Sequence, residues 1–415
     1  MSRDQPMEQP GPRSKPPRFF KPFTDLRFTR GEAGGAVGDL GTFLPLLAGM
    51  VSSSGLHLGH ALLFAGVAAI VAGLNFGIPM PVQPMKAIAI VVIAEGMNVP
   101  ELLAAGMATG AVVLVLALTG LIGRINRSIP RSLIRAIQLA LGLKLLYKGF
   151  EMSIQGQPWI GGDSIALAAV SVALVLLLPS SRRIPGALAI FALGLVVLLV
   201  SQPQLVASLR LGLEPPTFHS ISRSEWVAGL WHGALPQIPL TLLNSVLAVS
   251  LLSADLFGER RAAGPKKVAL SVGLMNLLLC PFGAMPMCHG AGGLAAQHRF
   301  GGRTGGCTVL LGLSYIVLAL LFGSSLFVLF AAYPRSILGV LLGFAGVSLV
   351  LVCRDQRAPQ DIAVLVTTAG IALMTNVGIG FLAGLALVVM IWAARQISGS
   401  RLLGFSRGRS TDAKE

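Results

Sequence analysis

The sequence predicts an all-α polytopic membrane protein of about 14 transmembrane segments, arranged as two inverted repeats of about seven segments with a half-helix in each. Three observations predict this fold: an apolar composition, an internal repeat, and two short segments interrupted by proline and glycine. Of the 415 residues, 54% are hydrophobic and only 12% are charged, whereas soluble domains carry about a quarter charged residues. Apolar runs such as 104–122 and 309–322 approach the length that crosses a bilayer. One soluble core could not enclose so many of them.

Positive charges concentrate on one side of the predicted segments. The formal net charge is +15, but with the N-terminus inside most of the 32 Lys and Arg residues fall in the tails and inward-facing loops. Lys86 lies within the membrane, and the outward loops are predicted to hold Lys144, Lys148, Arg210, Arg223 and Arg335. This bias orients helices in a bilayer and explains the basic composition without a nucleic-acid partner. It predicts a multi-pass protein of the inner (plasma) membrane with both termini in the cytoplasm.

The predicted organisation has five parts. They are a basic cytoplasmic tail at 1–30, a first repeat at 31–202, an extracytoplasmic linker at 203–225, a second repeat at 226–395 and a cytoplasmic tail at 396–415. The N-terminal tail lacks the apolar stretch of a cleavable signal peptide. The four cysteines have no close CxxC spacing and lie mostly in or beside apolar segments. They are expected to be packing residues, and no cofactor or metal is predicted.

The clearest match between the halves is IPRSLI at 129–134 with YPRSIL at 333–338. Each continues into an apolar helix with a glycine at the matching place, Gly142 or Gly346. Further matches follow in the same order, and several in order are not easily chance. Because each half has an odd number of segments, the second half enters the membrane from the opposite side. Such inverted repeats are typical of alternating-access transporters, whose substrate site lies near the midplane between the repeats.

Two matching segments, at 77–95 and 283–298, are predicted to be half-helices. The first cannot form a regular helix before Pro84, because proline lacks the N–H donor and clashes with the preceding turn. The second is interrupted by Pro286 and by a run of glycines. Each segment should be extended first and then helical for a short length, with free N–H groups near mid-membrane. Two helix N-termini that face each other there suit a bound anion.

Polar residues at the starts of these half-helices are the candidate substrate ligands. Lys86 is costly in an apolar helix and would normally face a cavity or a partner. A bound anion would account for a lysine in a first turn, where the helix dipole favours an acid. A structural ion pair with Asp39, or snorkelling to the interface, is the alternative. The predicted substrate-binding residues are Gln83, Lys86, Cys288, His289, Gly290, Gly292 and Gly293.

The first segment of each half supplies further polar positions in apolar surroundings. GDLGT contains Asp39 and Thr42, and QIPLTLLNS contains Gln237 and Asn244. Asp39 and Asn244 occupy matching places in the repeat. A buried carboxylate in a membrane is usually a relay for protons or cations, or a counter-ion. These four residues are therefore predicted to line the cavity or the coupling pathway.

Four stretches resemble the signature motifs of the molybdate transporter family, relatives of the sulfate permeases that lack their regulatory STAS domain. They are GDLGTFLPLL at 38–47, PMPVQPMKAIA at 79–89, QIPLTLLNSVLAVSLLSADLFG at 237–258 and PMCHGAGGLAAQHRFGGRTG at 286–305. The similarity runs from about residue 30 to 395. The PVQPMK and CHGAGGLA blocks are its most specific parts.

The resemblance implies the fold of sulfate permeases and nucleobase transporters, with the site between the third and tenth segments. In that fold, segments 1–4 and 8–11 form a core and the remaining segments form a gate. The core of this chain would then be 31–124 and 226–330, and the gate 128–202 and 333–395. Relatives with this fold often dimerise, so a homodimer in membrane lipid is expected by analogy.

The hypothesis is a secondary active transporter that takes up a tetrahedral oxyanion by alternating access, with molybdate as the first candidate substrate and sulfate as the second. Protons are the candidate coupling ion. A nucleobase–proton symporter would share the fold but should carry an acid at the second half-helix, where this chain has CHGAGG. A channel would not need paired half-helices. An enzyme is not predicted, because no HExxH, GxSxG or clustered Cys/His ligands occur.

Overall fold

The computed structural model describes residues 26–122, 130–177, 186–205, 215–323 and 325–407, with side chains as far as residue 394. Most of the predicted N-terminal tail, residues 408–415 of the predicted C-terminal tail and part of the predicted linker lie outside these residues. So do several basic residues that were used to predict the membrane orientation: Arg124, Arg127, Arg182, Arg183 and Arg210. The described part consists mainly of α-helices joined by short turns.

The described part of the first half consists mainly of seven helices, with an extended stretch before the third of them. Its described helices are α1 (Arg30–Ser54), α2 (Leu58–Phe76), α3 (Lys86–Glu95), α4 (Val99–Thr119), α5 (Arg131–Ile154), α6 (Ile165–Leu177) and α7 (Gly186–Ser201). The first three of these helices end at glycines with positive φ, namely Gly55, Gly77 and Gly96. A residue with a Cβ would be strained there, so the glycines set the helix ends.

The second half repeats this order. Its described helices are α8 (Arg223–Phe257), α9 (Pro265–Leu279), α10 (Ala291–Arg299), α11 (Gly306–Phe322), α12 (Ser325–Ala331), α13 (Arg335–Val352), α14 (Pro359–Met374) and α15 (Val377–Arg407). Six helices of the described chain are long and apolar enough to cross a membrane as single spans. The two half-helices are confirmed as α3 and α10, and the total of about 14 segments stays a prediction.

The extended stretches before the half-helices pair with each other. Strand β1 (Gln83–Pro84) runs antiparallel to β2 (Met287–Cys288), with Gln83 opposite Cys288. The sequence repeat also matches Gln83 with Cys288. Each lies three residues after the methionine of a Met-Pro pair, Met80-Pro81 or Met285-Pro286. The pseudo-twofold axis therefore passes through this pair. The sequence predicts the extended stretches but not their pairing, which the all-α prediction leaves out.

Helix packing follows the same pseudo-symmetry. Helix α2 packs along α11, and their counterparts α9 and α4 pack along each other in the same way. Helix α5 packs along its own counterpart α13. At that crossing a Cβ on Gly142 would lie 2.8 Å from the carbonyl oxygen of Gly346, and a Cβ on Gly346 would lie 2.6 Å from that of Gly142. The matched glycines of the sequence repeat thus let two backbones touch at the axis.

Helix α8 departs from regular α-helical geometry at two places. Wider π-helical turns occur at Gly229–Ala234 and Thr241–Leu247. Between them lie Pro236 and Pro239, which lack the N–H groups that regular helix bonding uses. Such π-turns are common at functional sites, and the second one contains Asn244.

Two basic residues do not lie where the sequence places them. Lys144 and Lys148 were predicted in an outward loop, but both lie on α5. Lys144 donates to Glu95 at the end of α3 at 2.9 Å, and Lys148 pairs with Glu151 on its own helix at 3.2 Å. Partnering with carboxylates lets these lysines sit on an otherwise apolar helix. The prediction was wrong because hydropathy alone does not reveal such partners.

Candidate functional site

A cavity of about 740 Å³ lies between the half-helices and the α5–α13 pair. Among the predicted site residues, those that line it are Thr42, Gln83, Lys86, Gln237, Asn244, Cys288, Gly290 and Gly292. Three others, Asp39, His289 and Gly293, lie behind this surface, and the first two are fully buried. The structure thus brings the two halves of the predicted site together in one place.

The strand pair fixes where both half-helices begin. Beside it, the Met85 N–H donates to the Pro286 carbonyl at 2.9 Å. Asn276 of α9 holds β2 from behind: its Nδ2 donates to the Met287 carbonyl at 2.7 Å and its Oδ1 accepts from the Met287 N–H at 2.8 Å. These bonds satisfy backbone groups that would be costly to leave unpaired inside a membrane.

Lys86 is the first residue of α3, and its side chain lines the cavity. Within the described chain it takes part in no hydrogen bond or ion pair, whereas Lys144 and Lys148 are both paired with carboxylates. The alternative of an ion pair with Asp39 is therefore not what the structure contains. An unpaired ammonium that faces a cavity can receive an anion.

The N-terminus of α3 is already capped by a side chain from the other half. The Gln237 Oε1 accepts from the Ala87 N–H at 2.8 Å and from the Ile88 N–H at 3.4 Å. The Gln237 Nε2 in turn donates to the Thr241 hydroxyl at 2.9 Å. The expectation of two open half-helix N-termini therefore does not hold for α3. Sequence inspection identified Gln237 but not this capping role.

The N-terminus of α10 is open. The N–H groups of Ala291, Gly292 and Gly293 donate to no acceptor in the described part of the chain. A Cβ on Gly292 would have no atom within 4 Å, so this residue borders open space. Within the described residues, α10 thus has three N–H groups without an acceptor in its first turn, whereas at α3 only that of Lys86 lacks one.

Gly290 and Gly293 have a different role from Gly292. A Cβ on Gly290 would clash with the Gln83 Oε1, and one on Gly293 would lie 2.6 Å from the Asp39 Oδ1. The two glycines let β1 and α1 approach α10 closely. Their absence of side chains is therefore a packing requirement as well as a feature of the cavity.

Asp39 and Gln83 form a fully buried hydrogen-bonded pair. The Gln83 Nε2 donates to the Asp39 Oδ1. The Asp39 Oδ2 and the Gln83 Oε1 have no partner in the described chain. Gln83 also lines the cavity, so it links the buried carboxyl to the candidate site.

His289 holds the two extended stretches together. Its Nδ1 lies 2.8 Å from the Pro81 carbonyl oxygen, its Nε2 lies 2.9 Å from the Ser271 hydroxyl, and its ring packs edge-on against Phe76. With both nitrogens engaged, the ring is turned away from the cavity. The sequence placed His289 among the substrate ligands, whereas its contacts are those of a scaffold residue.

Sequence inspection missed the scaffold residues Asn276 and Thr241 and the cavity residues Gln138 and Ser348. Asn276 carried a usable signal, because it is a polar residue in an otherwise apolar run before a predicted half-helix. Gln138 carried a similar signal in the run AIQLALGL, whereas Ser348 carried none. They reach the cavity through the α5–α13 packing, which sequence spacing does not give.

The chemistry of the lining is compatible with a bound anion. The described lining residues include Lys86 and Arg299 but no Asp or Glu. Amide, hydroxyl and thiol groups supply the remaining polar surface, with the open N–H groups of α10 beside them. Charge-assisted and backbone donors of this kind stabilise oxyanions.

Comparison with known proteins identifies the family and the fold of this chain. The family model described as "Molybdate transporter of MFS superfamily" matches residues 31–145 and 229–349. Molybdate transporter 1 of Arabidopsis thaliana is 39% identical over 90% of this chain and 91% of its own length. Molybdate transporter 1 of Chlamydomonas reinhardtii is 35% identical over 89% and 93%.

Two solved structures of low sequence identity have the same fold. The transmembrane domain of the cyanobacterial bicarbonate transporter BicA superposes with a TM-score of 0.64 at 17% identity, over 88% of this chain and 100% of that one. The murine anion transporter Slc26a9, in its inward-facing state, superposes with a TM-score of 0.67 at 12% identity, over 90% and 70%.

Replacement of Asn276 by Leu should destabilise the protein without removing a cavity group. The substitution leaves the N–H and the carbonyl of Met287 unpaired, at a cost of about 1–3 kcal/mol for each buried group. A lower melting temperature of the purified protein in detergent is expected. Asn244→Leu is the matched control, because Asn244 faces the cavity and has no described hydrogen-bond partner. Equal melting temperatures for both variants would contradict the scaffold role of Asn276.

Proposed function

Because the chain belongs to the molybdate transporter family, we propose that it is a secondary active transporter, not an enzyme, that takes up molybdate by alternating access. One observation carries the site assignment: Lys86 is unpaired in a cavity without described carboxylates and lies beside the open N-terminus of α10. The two features belong to opposite halves of the repeat. A site at the repeat interface is what alternating access requires.

The proposed anion site has one full positive charge and several neutral donors. Lys86 supplies the charge, and the N–H groups of Ala291, Gly292 and Gly293 supply directed donors. Gln83 and Thr42 lie on the same cavity surface. A dianion held by one lysine and helix N–H groups is bound without a full countercharge, so it can also leave, as transport requires.

Sulfate remains the second candidate, because it has the same charge and tetrahedral shape as molybdate. A nucleobase is disfavoured, since the start of α10 offers backbone N–H groups and Cys288 rather than a carboxylate. The site therefore favours an anion over a neutral base.

We place the open end of the cavity at the cytoplasm. The lining reaches the last turns of α10 and α13 and the first turn of α7, which the distribution of basic residues assigns to the inner side. The proposal includes a plasma-membrane location and cytoplasmic termini. It also includes the division into a core of α1–α4 and α8–α12 and a gate formed by the other helices. A homodimer stays a prediction by analogy with the fold.

Asp39 is the proposed carrier of a coupling proton. Its carboxyl group is buried, has one oxygen without a partner in the described chain, and is hydrogen-bonded to Gln83, which lines the cavity. A carboxyl group in this position can gain or lose a proton. Its hydrogen bond with the Gln83 amide can transmit that change in charge to the cavity.

Loss of the Lys86 charge should abolish high-affinity uptake. For Lys86→Gln, uptake of labelled molybdate into proteoliposomes at low concentration should fall by roughly 10- to 100-fold, the value of a hydrogen bond to a charged group. Lys86→Arg should retain part of the activity. Lys266→Gln, an exposed lysine at the start of α9, controls for the change in net charge. Unchanged apparent affinity in Lys86→Gln would contradict the site.

Removal of the Asp39 ionisation should uncouple uptake from a proton gradient. Asp39→Asn keeps the acceptor for Gln83 but cannot release a proton. Molybdate exchange between equal concentrations should continue in this variant, while an inward proton gradient should no longer drive accumulation. If the gradient still drives accumulation in Asp39→Asn, the coupling proton lies elsewhere.

A further inference from the structure

The cavity also has a polar side chain on the side of the proposed gate. Of the α5 residues that line it, Leu141 and Leu145 are apolar, whereas Gln138 carries an amide. On α13 the polar lining residue is Ser348, whose hydroxyl donates to the Phe344 carbonyl of its own helix at 2.9 Å. Among the described gate residues, Gln138 is therefore the one whose side chain has a donor to offer a ligand.

The orientation of the Gln138 amide is fixed by Arg135. The Arg135 Nη1 donates to the Gln138 Oε1 at 2.9 Å. A guanidinium group has donors only, so the atom of the amide that meets it must be the oxygen. The amide NH2 group is left free to point elsewhere, and it donates to no acceptor in the described chain. Gln138 is only 3% exposed and lines the cavity, so the cavity is where this NH2 group can meet an acceptor.

Arg135 is itself held by the end of α13. Its Nε lies 2.9 Å and its Nη2 lies 2.6 Å from the Asp355 Oδ2. These bonds use other nitrogen atoms than the one that meets Gln138, so the guanidinium binds both partners together. Asp355, Arg135 and Gln138 thus form one chain of hydrogen bonds that leads from the exposed Asp355 to the cavity.

Gln138 lies at a depth similar to that of Lys86. Helix α3 packs along α5, and an ion pair of 2.9 Å between Glu95 and Lys144 joins the two helices. With a rise of about 1.5 Å per residue, Lys86 lies about 14 Å before Glu95 along α3. By the same rise, Gln138 lies about 9 Å before Lys144 along α5. The two polar groups therefore line one cavity within about one helical turn of each other.

The repeat does not supply the same group on the other side of the gate. The match of 129–134 with 333–338 places Gln138 on Leu342 and Arg135 on Gly339. Leu342 is apolar and fully buried. The amide and its arginine are therefore not part of the packing that the two halves of the gate share, which favours a role in the site.

We propose that Gln138 is a substrate-binding residue of the gate, which donates its amide N–H to the oxyanion that Lys86 and the start of α10 hold from the core. Arg135 is the positioning residue that turns the amide so that the cavity meets its NH2 group. Every oxygen of an unprotonated oxyanion is an acceptor and satisfies this group, whereas a ligand that presents an N–H there does not. The inference rests on the proposed transport function and adds a contact between the substrate and the gate.

Two substitutions of Gln138 separate substrate binding from a purely structural role. Gln138→Leu removes both the donor and the acceptor for Arg135, whereas Gln138→Glu keeps that acceptor but turns a carboxylate oxygen toward the anion. The molybdate concentration for half-maximal uptake into proteoliposomes should rise about 10-fold in Gln138→Leu, the lower value for a hydrogen bond to a charged group. It should rise further in Gln138→Glu, because the added charge repels the anion.

A structural role alone predicts the opposite order, since a carboxylate at this position would strengthen the contact with Arg135. In that case Gln138→Glu should behave like the unchanged protein and only Gln138→Leu should be impaired. That order, or an unchanged apparent affinity in both variants, would overturn the proposal.

The melting temperature of each purified variant is measured beside its uptake. Gln138→Glu should melt no lower than the unchanged protein, so that its loss of affinity is not a loss of folding. Gln155→Leu and Gln155→Glu are the matched controls, because Gln155 is exposed at the end of the same helix and does not line the cavity. An equal loss of affinity in the Gln155 variants would overturn the assignment. All these chains keep their natural cysteines.

The same measurement distinguishes failure of this inference from failure of the proposed function. If the unchanged protein shows no saturable molybdate uptake, the proposed function fails and the role of Gln138 fails with it. If the unchanged protein takes up molybdate and Lys86→Gln loses affinity while both Gln138 variants keep it, only the role of Gln138 is wrong.

Discussion

The two half-helices of this protein follow extended stretches that are buried among membrane-spanning helices, where backbone N–H and C=O groups need protein partners. The antiparallel pairing of β1 with β2 meets much of that requirement. Asn276 and His289 meet more of it, by bonding the backbone of Met287 and of Pro81. The pairing also brings the two repeats together at the pseudo-twofold axis. The position of the site follows from this one contact, because both half-helices start from it.

The N-termini of the two half-helices differ in the hydrogen bonds that their N–H groups make. This difference favours a negatively charged ligand in the proposed site. Gln237 accepts from the second and third N–H groups of α3, those of Ala87 and Ile88, while the first three N–H groups of α10 have no acceptor in the described chain. Lys86 adds a charge on the α3 side. In the proposed site the anion is therefore held between a side chain of one repeat and the backbone of the other. A relative movement of the repeats can change both contacts at once, which is the basis of transport through a fixed site.

Much of the fold could be predicted because proline, glycine and charge have local consequences. Pro84 and Pro286 define where helix can begin, and the repeat matches Gly142 with Gly346 as counterparts. The contacts across the repeats could not be predicted. His289 looks like a ligand in the sequence and Gln237 like a lining residue, but their roles depend on Ser271, Ala87 and other residues far away in the chain. Sequence spacing predicts which segments meet but not which polar group faces which.

Cys288 offers the most direct measurement of where the substrate binds, because its thiol lines the cavity beside Lys86. In a chain with Cys280, Cys307 and Cys353 replaced by serine, the rate at which N-ethylmaleimide modifies Cys288 is followed as molybdate is added. A site between the half-helices predicts a saturable fall in that rate, and no fall when Lys86 is replaced by Gln. Modification that is unaffected by molybdate, or protection that survives Lys86→Gln, would contradict the account.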